Sequence, residues 1–235
     1  MMTLVKSKLK TFIGGIHPED DGKLLTKSKK EVSSPLPKTV YLFMSQHIGA
    51  PCKPIVKKGD TVKKGQLVGE AQGFVSVNVH SSISGKVVDV VPWPHPITGI
   101  KSPAVIIERT EDDSWIEGAN EDFDTDRISP EEIKQRIQSA GIVGLGGATF
   151  PTHVKLTPPK DKVIDTVVMN GAECEPYLTC DYRLMLGKPH EIIQGLKFVM
   201  KCLGCKKAHI GIEANKEDVY SLFKDILSNE PQIKI

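Results

Sequence analysis

Hydrophobic and polar positions change period twice along the 235 residues, and those changes divide the chain. Residues 1–37 hold few apolar positions and end in Ser33-Ser34-Pro35-Leu36-Pro37, which predicts an N-terminal extended arm lying on something else. Within it, Pro18 restricts His17 to extended geometry in a turn-rich stretch. From 38 to 110 short runs (41–44, 66–71, 75–79, 86–91 and 104–108) alternate with Gly, Pro and Ser, the signature of β-strands. Residues 111–128, EDDSWIEGANEDFDTDRI, read as an acidic linker. From 129 to 235 the period becomes helical. Ser129-Pro130-Glu131-Glu132 predicts a capped helix start, Ile133, Ile137 and Ala140 its apolar face, and Gly141 its end. Residues 163–170 predict a buried strand, and Pro189 opens a helix whose apolar face runs from Ile192 to Leu203 and stops at Gly204. A strand over 206–212 follows. Asn215 is expected to cap a last helix carrying Val219, Leu222, Phe223, Ile226 and Leu227 inward. Strands alternating with helices imply a parallel sheet with right-handed crossovers, and NEPQIKI begins one more strand, so this α/β domain reads as incomplete.

The fold class is therefore all-β followed by α/β. In the β part, Val56-x-x-Gly59-Asp60-x-Val62-x-x-Gly65 and Ser81-x-x-Ser84-Gly85-x-Val87 resemble the two halves of a biotinyl/lipoyl-type barrel sandwich. Carrier versions place a modified lysine at the hairpin tip between the halves. Here the tip is Gly73-Phe74 and no lysine occurs from 66 to 85, which predicts a docking module without a covalent cofactor. Lys57, Lys58, Lys63 and Lys64 cluster at its turns and read as solvated turn charges, the alternative being a patch for an acidic partner.

Composition narrows the classes. A net charge of +2 from 31 basic and 29 acidic residues, with no basic stripe interleaved by aromatics, argues against nucleic acid as a partner. No run approaches 18 apolar residues, so membrane association is expected through partner subunits. Five cysteines in a chain whose N-terminus lacks a secretory apolar region read as reduced thiols. Cys202-x-x-Cys205 has metal-type spacing but no second pair, and the histidines lack ligand spacing, so no metal site is predicted. His17, Glu19 and Asp20 are read as part of a structural turn, and the acidic linker lacks the residue order of a calcium loop.

Candidate chemistry concentrates in two stretches. In Gly144 to Leu156, GLGGATFPTHVKL, glycines at 144, 146 and 147 let backbone N–H groups approach an anion closely. A helix start at Phe150-Pro151-Thr152 would favour the same charge, and Lys155 would add a full positive one. In NGAECEPYLTCDYRLM, from Asn170, carboxylates Glu173 and Glu175 follow a predicted strand end, where α/β proteins place ligands. Asn215, at a later strand-to-helix turn, is a weaker candidate. The loop follows a helix and lacks G-K-[ST], so it is neither a dinucleotide fingerprint nor a P-loop. No side chain is assigned a catalytic role.

These two stretches, with TFIGGIHP at 11–18 and SQHIGAPCKPIVKKGD at 45–60, resemble the RnfC family of the ion-translocating Rnf electron-transport complex over nearly the whole chain. More distantly they resemble the NADH-oxidising flavoprotein subunit of respiratory complex I. The resemblance implies FMN contacts at Gly144, Gly146, Gly147, Lys155, Asn170 and Glu173, with Glu175 on the NADH side. Leu145 stands where the complex I relative has arginine, and Ala172 where it has aspartate, leaving fewer charged partners. It further implies an NADH/ferredoxin oxidoreductase-type translocase, peripheral on the cytoplasmic face of the plasma membrane. Its partners would be other Rnf subunits, including integral membrane ones, and ferredoxin indirectly. The [4Fe–4S] clusters implied for full-length relatives have no ligand run in this chain. A cobalamin or proline reductase accessory flavoprotein, or a non-catalytic docking fragment, are the alternative readings.

Overall fold

The computed structural model describes residues 22–29, 32–119, 124–125 and 127–235. Contacts divide the chain into two compact units, residues 34–163 and residues 1–33 with 164–235. The sequence pattern places boundaries at 37/38, 110/111 and 128/129. The motif at 11–18, with His17, Glu19 and Asp20, lies outside the described residues.

In the 34–163 unit, β1 (Thr39–Phe43), β7 (Lys101–Arg109), β6 (Gly85–Pro94) and β3 (Thr61–Val62) form a sheet in that order. A second sheet orders β2 (Lys53–Pro54), β4 (Leu67–Glu70) and β5 (Val79–His80). Alternation along the strands sends Leu42, Met44, Val62, Val68, Val79, Val87, Val105 and Ile107 into one shared core, so the two sheets form a sandwich. Every pairing within them is antiparallel.

Two features of this unit depart from the sequence reading. Lys64 is not a solvated turn charge: its ammonium sits 2.9 Å from Asp113 Oδ2 and 5.1 Å from the Trp115 ring centre. Asp113 also accepts from the Ser84 N–H, and Ser84 Oγ donates to Ser114 O at 2.7 Å. The first part of the acidic segment is thus bonded to the sandwich. The other departure concerns the hairpin tip. Helix α2 (Pro130–Ser139) is capped by Ser129 Oγ accepting from Glu132 N–H, as the sequence predicts. Its C-terminal end lies on the tip: Asn78 Nδ2 donates to Ser139 O and Gln138 Nε2 to Ser76 O. His153 Nε2 lies 2.7 Å from Phe74 O, with the two rings edge to face. The tip that carries a cofactor in lipoyl-type modules is here a platform for the glycine-loop segment, which is why residues 129–163 cluster with the sandwich.

In the other unit, β8 (Thr166–Asn170), β9 (Lys207–Gly211) and β10 (Ile233–Lys234) form a parallel sheet in the order β10-β9-β8. Helices α4 (Cys180–Gly187), α5 (Pro189–Leu203) and α6 (Glu217–Ile226) supply its core through Tyr182, Met185, Ile193, Leu196, Met200, Val219 and Phe223. The expected buried strand begins later, at Thr166, and lies at the sheet edge, leaving Val168 71% exposed. Cys202 and Cys205 are both buried, and Cys205 Sγ lies 3.1 Å from Ile164 O, a packing role. Ahead of the sheet in sequence, α1 (Leu24–Lys27) is a single helical turn, so this part of the arm is not extended.

Candidate functional site

Parallel strands β8 and β9 end together, with Asn170 opposite Gly211. The loops after them, 171–179 and 212–216, therefore emerge at the same carboxyl edge of the sheet, the usual ligand position in open α/β sheets. Asn170 Oδ1 accepts from Ala172 N–H at 3.0 Å and turns the chain out of the strand.

Glu173 is buried, 6% exposed, and its carboxylate is engaged within the protein. Oε1 accepts from Asp181 N–H at 2.7 Å, while Oε2 accepts from Tyr182 N–H at 3.3 Å and from Lys216 Nζ at 2.8 Å. Those two N–H groups belong to the first turn of α4, where helix donors lack partners of their own. Glu173 therefore caps α4 from a distance, a role stabilised by the helix dipole. Lys216, 2% exposed, also pairs with Glu213 at 2.7 Å, and the Glu173 N–H donates to Glu213 Oε2. The triad ties the two loops together.

Burial alone would raise the Glu173 carboxyl, but hydrogen bonds from Lys216 and the Asp181 N–H hold it below its ordinary 4.5. Burial would likewise lower the Lys216 ammonium, and the two glutamates hold it above its ordinary 10.5. A depressed carboxyl contributes stability above its unfolded value, lost as pH falls through the folded one. A raised ammonium contributes below its unfolded value, lost as pH rises through the folded one. The 164–235 unit is thus expected to hold constant stability from roughly pH 5 to 10 with respect to this pair, and to weaken below about pH 4.5. Denaturant-dependent hydrogen exchange of 207–211 at pH 7, 5 and 3.5 checks this; equal stability at all three contradicts it.

Glu175 and Asn170 are exposed, as is Cys174 between the glutamates. Asn215 is exposed too and does not cap α6: the N-cap position is Lys216, and no side-chain cap bond forms there. Asn215 instead offers its carbonyl to Lys27 Nζ at 3.0 Å. Glu173, Cys180 and Asp181 bring donor atoms within 4.8 Å of one another, a spacing suited to a metal. The capping bonds already account for this convergence. Burial and the carboxylates of Asp181 and Glu173 push the Cys180 thiol up, away from reactivity.

In the 34–163 unit, Gly144 N–H donates to Phe150 O and Thr152 N–H to Ile142 O, which closes a loop over 144–150. A Cβ at Gly144 would lie 2.6 Å from Lys155 Nζ, so the ammonium at the flexible end of this exposed side chain rests against the glycine. Around Gly146 and Gly147 the space is open, as the approach of a ligand to the backbone requires. The helix expected at 152 is a single turn, α3 (Thr152–Lys155), so its dipole adds little. Gly144, Gly146, Gly147 and Lys155 thus fall in one unit, and Asn170, Glu173, Glu175 and Asn215 in the other. Sequence reasoning missed Lys216 and Lys23; a lysine among surface charges gives no periodic sign of burial.

Residues 10–112 match the family described as the RnfC barrel sandwich hybrid domain, and residues 137–235 match that described as the Nuo51 FMN-binding domain. The chain is 49% identical over 216 residues to a subunit of the proton-translocating ferredoxin:NAD(+) oxidoreductase complex of Clostridium ljungdahlii, covering 92% of this chain and 47% of that one. It is 48% identical over 235 residues to the equivalent subunit of the Na(+)-translocating complex of Acetobacterium woodii, covering 96% of this chain and 50% of that one. A solved chain of an NAD+-reducing [NiFe]-hydrogenase in the H2-reduced state is 22% identical, with a TM-score of 0.38, over 48% of this chain and 22% of its own. The chain spans about half the length of the curated relatives it matches. With its sandwich and α/β parts matched in this order, and with relatives at nearly half identity spanning both, the chain belongs to the RnfC family.

Proposed function

We propose that this chain supplies nucleotide-binding elements of an electron-input subunit in an Rnf-type ferredoxin:NAD(+) oxidoreductase complex, with FMN and NADH as ligands. The observation that carries the proposal is the loop after β8, braced at the sheet's carboxyl edge by Glu173, Lys216 and Glu213 while Glu175 stays exposed. Open glycines with Lys155 against Gly144 fit a phosphate: backbone N–H groups with room for an anion, and a cation at hand. FMN, when bound, supplies the conversion between hydride and single-electron chemistry.

On this reading Lys155 neutralises phosphate charge, Glu175 orients nicotinamide or its ribose, and Glu173 holds the loop that presents Glu175. Iron–sulfur clusters, the other complex subunits, ferredoxin and a peripheral place on the cytoplasmic face of the membrane belong to the same proposal. Among the described residues, no helix is long and apolar enough to cross a membrane, which suits attachment through partner subunits.

Glu175→Gln in the full-length protein tests the reading. FMN content is expected to stay near wild type while NADH-driven bleaching slows about tenfold, because a misplaced nicotinamide loses its near-attack geometry. Loss of flavin, or bleaching at the wild-type rate, removes Glu175 from the nicotinamide side. A wild-type protein that purifies without FMN and cannot be loaded with it defeats the proposal as a whole.

A further inference from the structure

Lys23, 150 residues before the Glu173 loop, is 6% exposed. Its ammonium donates to three carbonyls of that one loop: Glu173, Glu175 at 3.1 Å and Leu178 at 2.9 Å. Three donors meet three acceptors, so the ammonium acts as a fixed cation around which the loop folds. Neighbouring arm residues add to the grip. Thr26 Oγ1 donates to Tyr177 O at 2.8 Å, and Lys27 lies 4.8 Å from the Tyr182 ring centre. Gly22, at φ +71°, packs so tightly that a Cβ there would sit 2.2 Å from the Tyr177 ring. Tyr177 itself holds φ +66°, a left-handed conformation costly for an aromatic residue and maintained only when the surroundings impose it.

We infer that Lys23 is a positioning residue: the arm segment 22–27 clamps the 173–178 loop, and through it sets where Glu175 meets the nicotinamide nucleotide. This inference rests on the proposed function. The triad of Glu173, Lys216 and Glu213 fixes the start of the loop, but Glu175 to Leu178 lie beyond it, and Lys23 reaches them. Without Lys23 three carbonyls lose their partner and Tyr177 has a route out of its strained conformation.

Flavin-loaded full-length protein is compared as wild type, Lys23→Met and Thr26→Val. Each is measured for hydrogen exchange over 171–183 and 207–211, for FMN content, and for KM and kcat of NADH oxidation with an artificial acceptor. In Lys23→Met, exchange over 171–183 is expected to rise about tenfold while 207–211 and FMN content stay unchanged. kcat/KM for NADH should fall about tenfold, chiefly through kcat, the pattern of a nicotinamide held out of its near-attack geometry. Thr26→Val should move both quantities the same way by about threefold, and it decides the matter alone if Lys23→Met does not fold. Unchanged exchange over 171–183 overturns the clamp. Faster exchange with unchanged kcat/KM overturns the positioning role. A wild-type protein that binds FMN but does not oxidise NADH defeats the functional reading and the positioning role with it, while exchange still decides the clamp.

Discussion

Lys216→Met is expected to destabilise the 164–235 unit by about 3–5 kcal/mol, the range for breaking a buried ion pair by removing one partner. The variant leaves Glu173, whose side chain is 3% exposed, facing Glu213 without the ammonium between them. Glu173 keeps its two N–H donors from α4, but like charges then meet at the junction of two loops. Since whole domains are stable by about 5–15 kcal/mol, the loss approaches the unit's reserve. Both tryptophans, Trp93 and Trp115, lie in the other unit, so their fluorescence does not follow this unfolding. Denaturant-dependent exchange of β9 does. In a double-mutant cycle with Glu173→Gln, the combined cost should fall below the sum of the single ones by about 2 kcal/mol. A cost below about 1 kcal/mol for Lys216→Met would mean the triad contributes little. Glu173 would then be available for a ligand, as the family resemblance implies.

The second large effect lies at the glycine loop. Lys155→Ala in the full-length protein is expected to weaken FMN binding about 10- to 150-fold, since a charge-assisted hydrogen bond is worth about 1.5–3 kcal/mol. Lys155 is exposed and its ammonium lies against Gly144, so truncation removes charge without opening a core. Fluorescence titration gives the affinity, and thermal unfolding should be unaltered because nothing buried is lost. Gly144→Ala supplies an independent check: its methyl would occupy space 2.6 Å from the ammonium and must displace it. A smaller loss is expected there, because the exposed lysine's flexible end can shift and keep its charge beside the loop. If both variants bind FMN as the wild type does, the loop is an ordinary turn.

Much of the architecture was legible in the chain because it rests on local rules. Alternating runs from 38 to 110 became the sandwich, since residues two apart share a strand face whatever lies opposite. Ser129 capped α2 and Gly204, at φ +67°, ended α5, because capping is settled within one helical turn. The parallel order of the last three strands followed from alternating strands and helices. Helix α4 escaped notice: its eight residues are too few for a period, and its N-terminal bonds come from Glu173, seven positions before its start.

What only the tertiary structure decided are the roles of individual charges. Glu173 and Glu175 stand two positions apart and look alike in sequence, yet one is sealed against Lys216 and the other left in solvent. Lys23, Lys64 and Lys216 carry no pattern separating them from other lysines, and each is fixed by partners 43 to 155 residues away. A helix cap at Asn215 was the local choice, but Lys216 takes the N-cap position with its ammonium turned to the buried carboxylates. Hydrophobic periodicity records which side of an element faces a core. The burial of a charge depends on whether an opposite charge arrives from elsewhere in the chain, and that information exists only once the chain has folded.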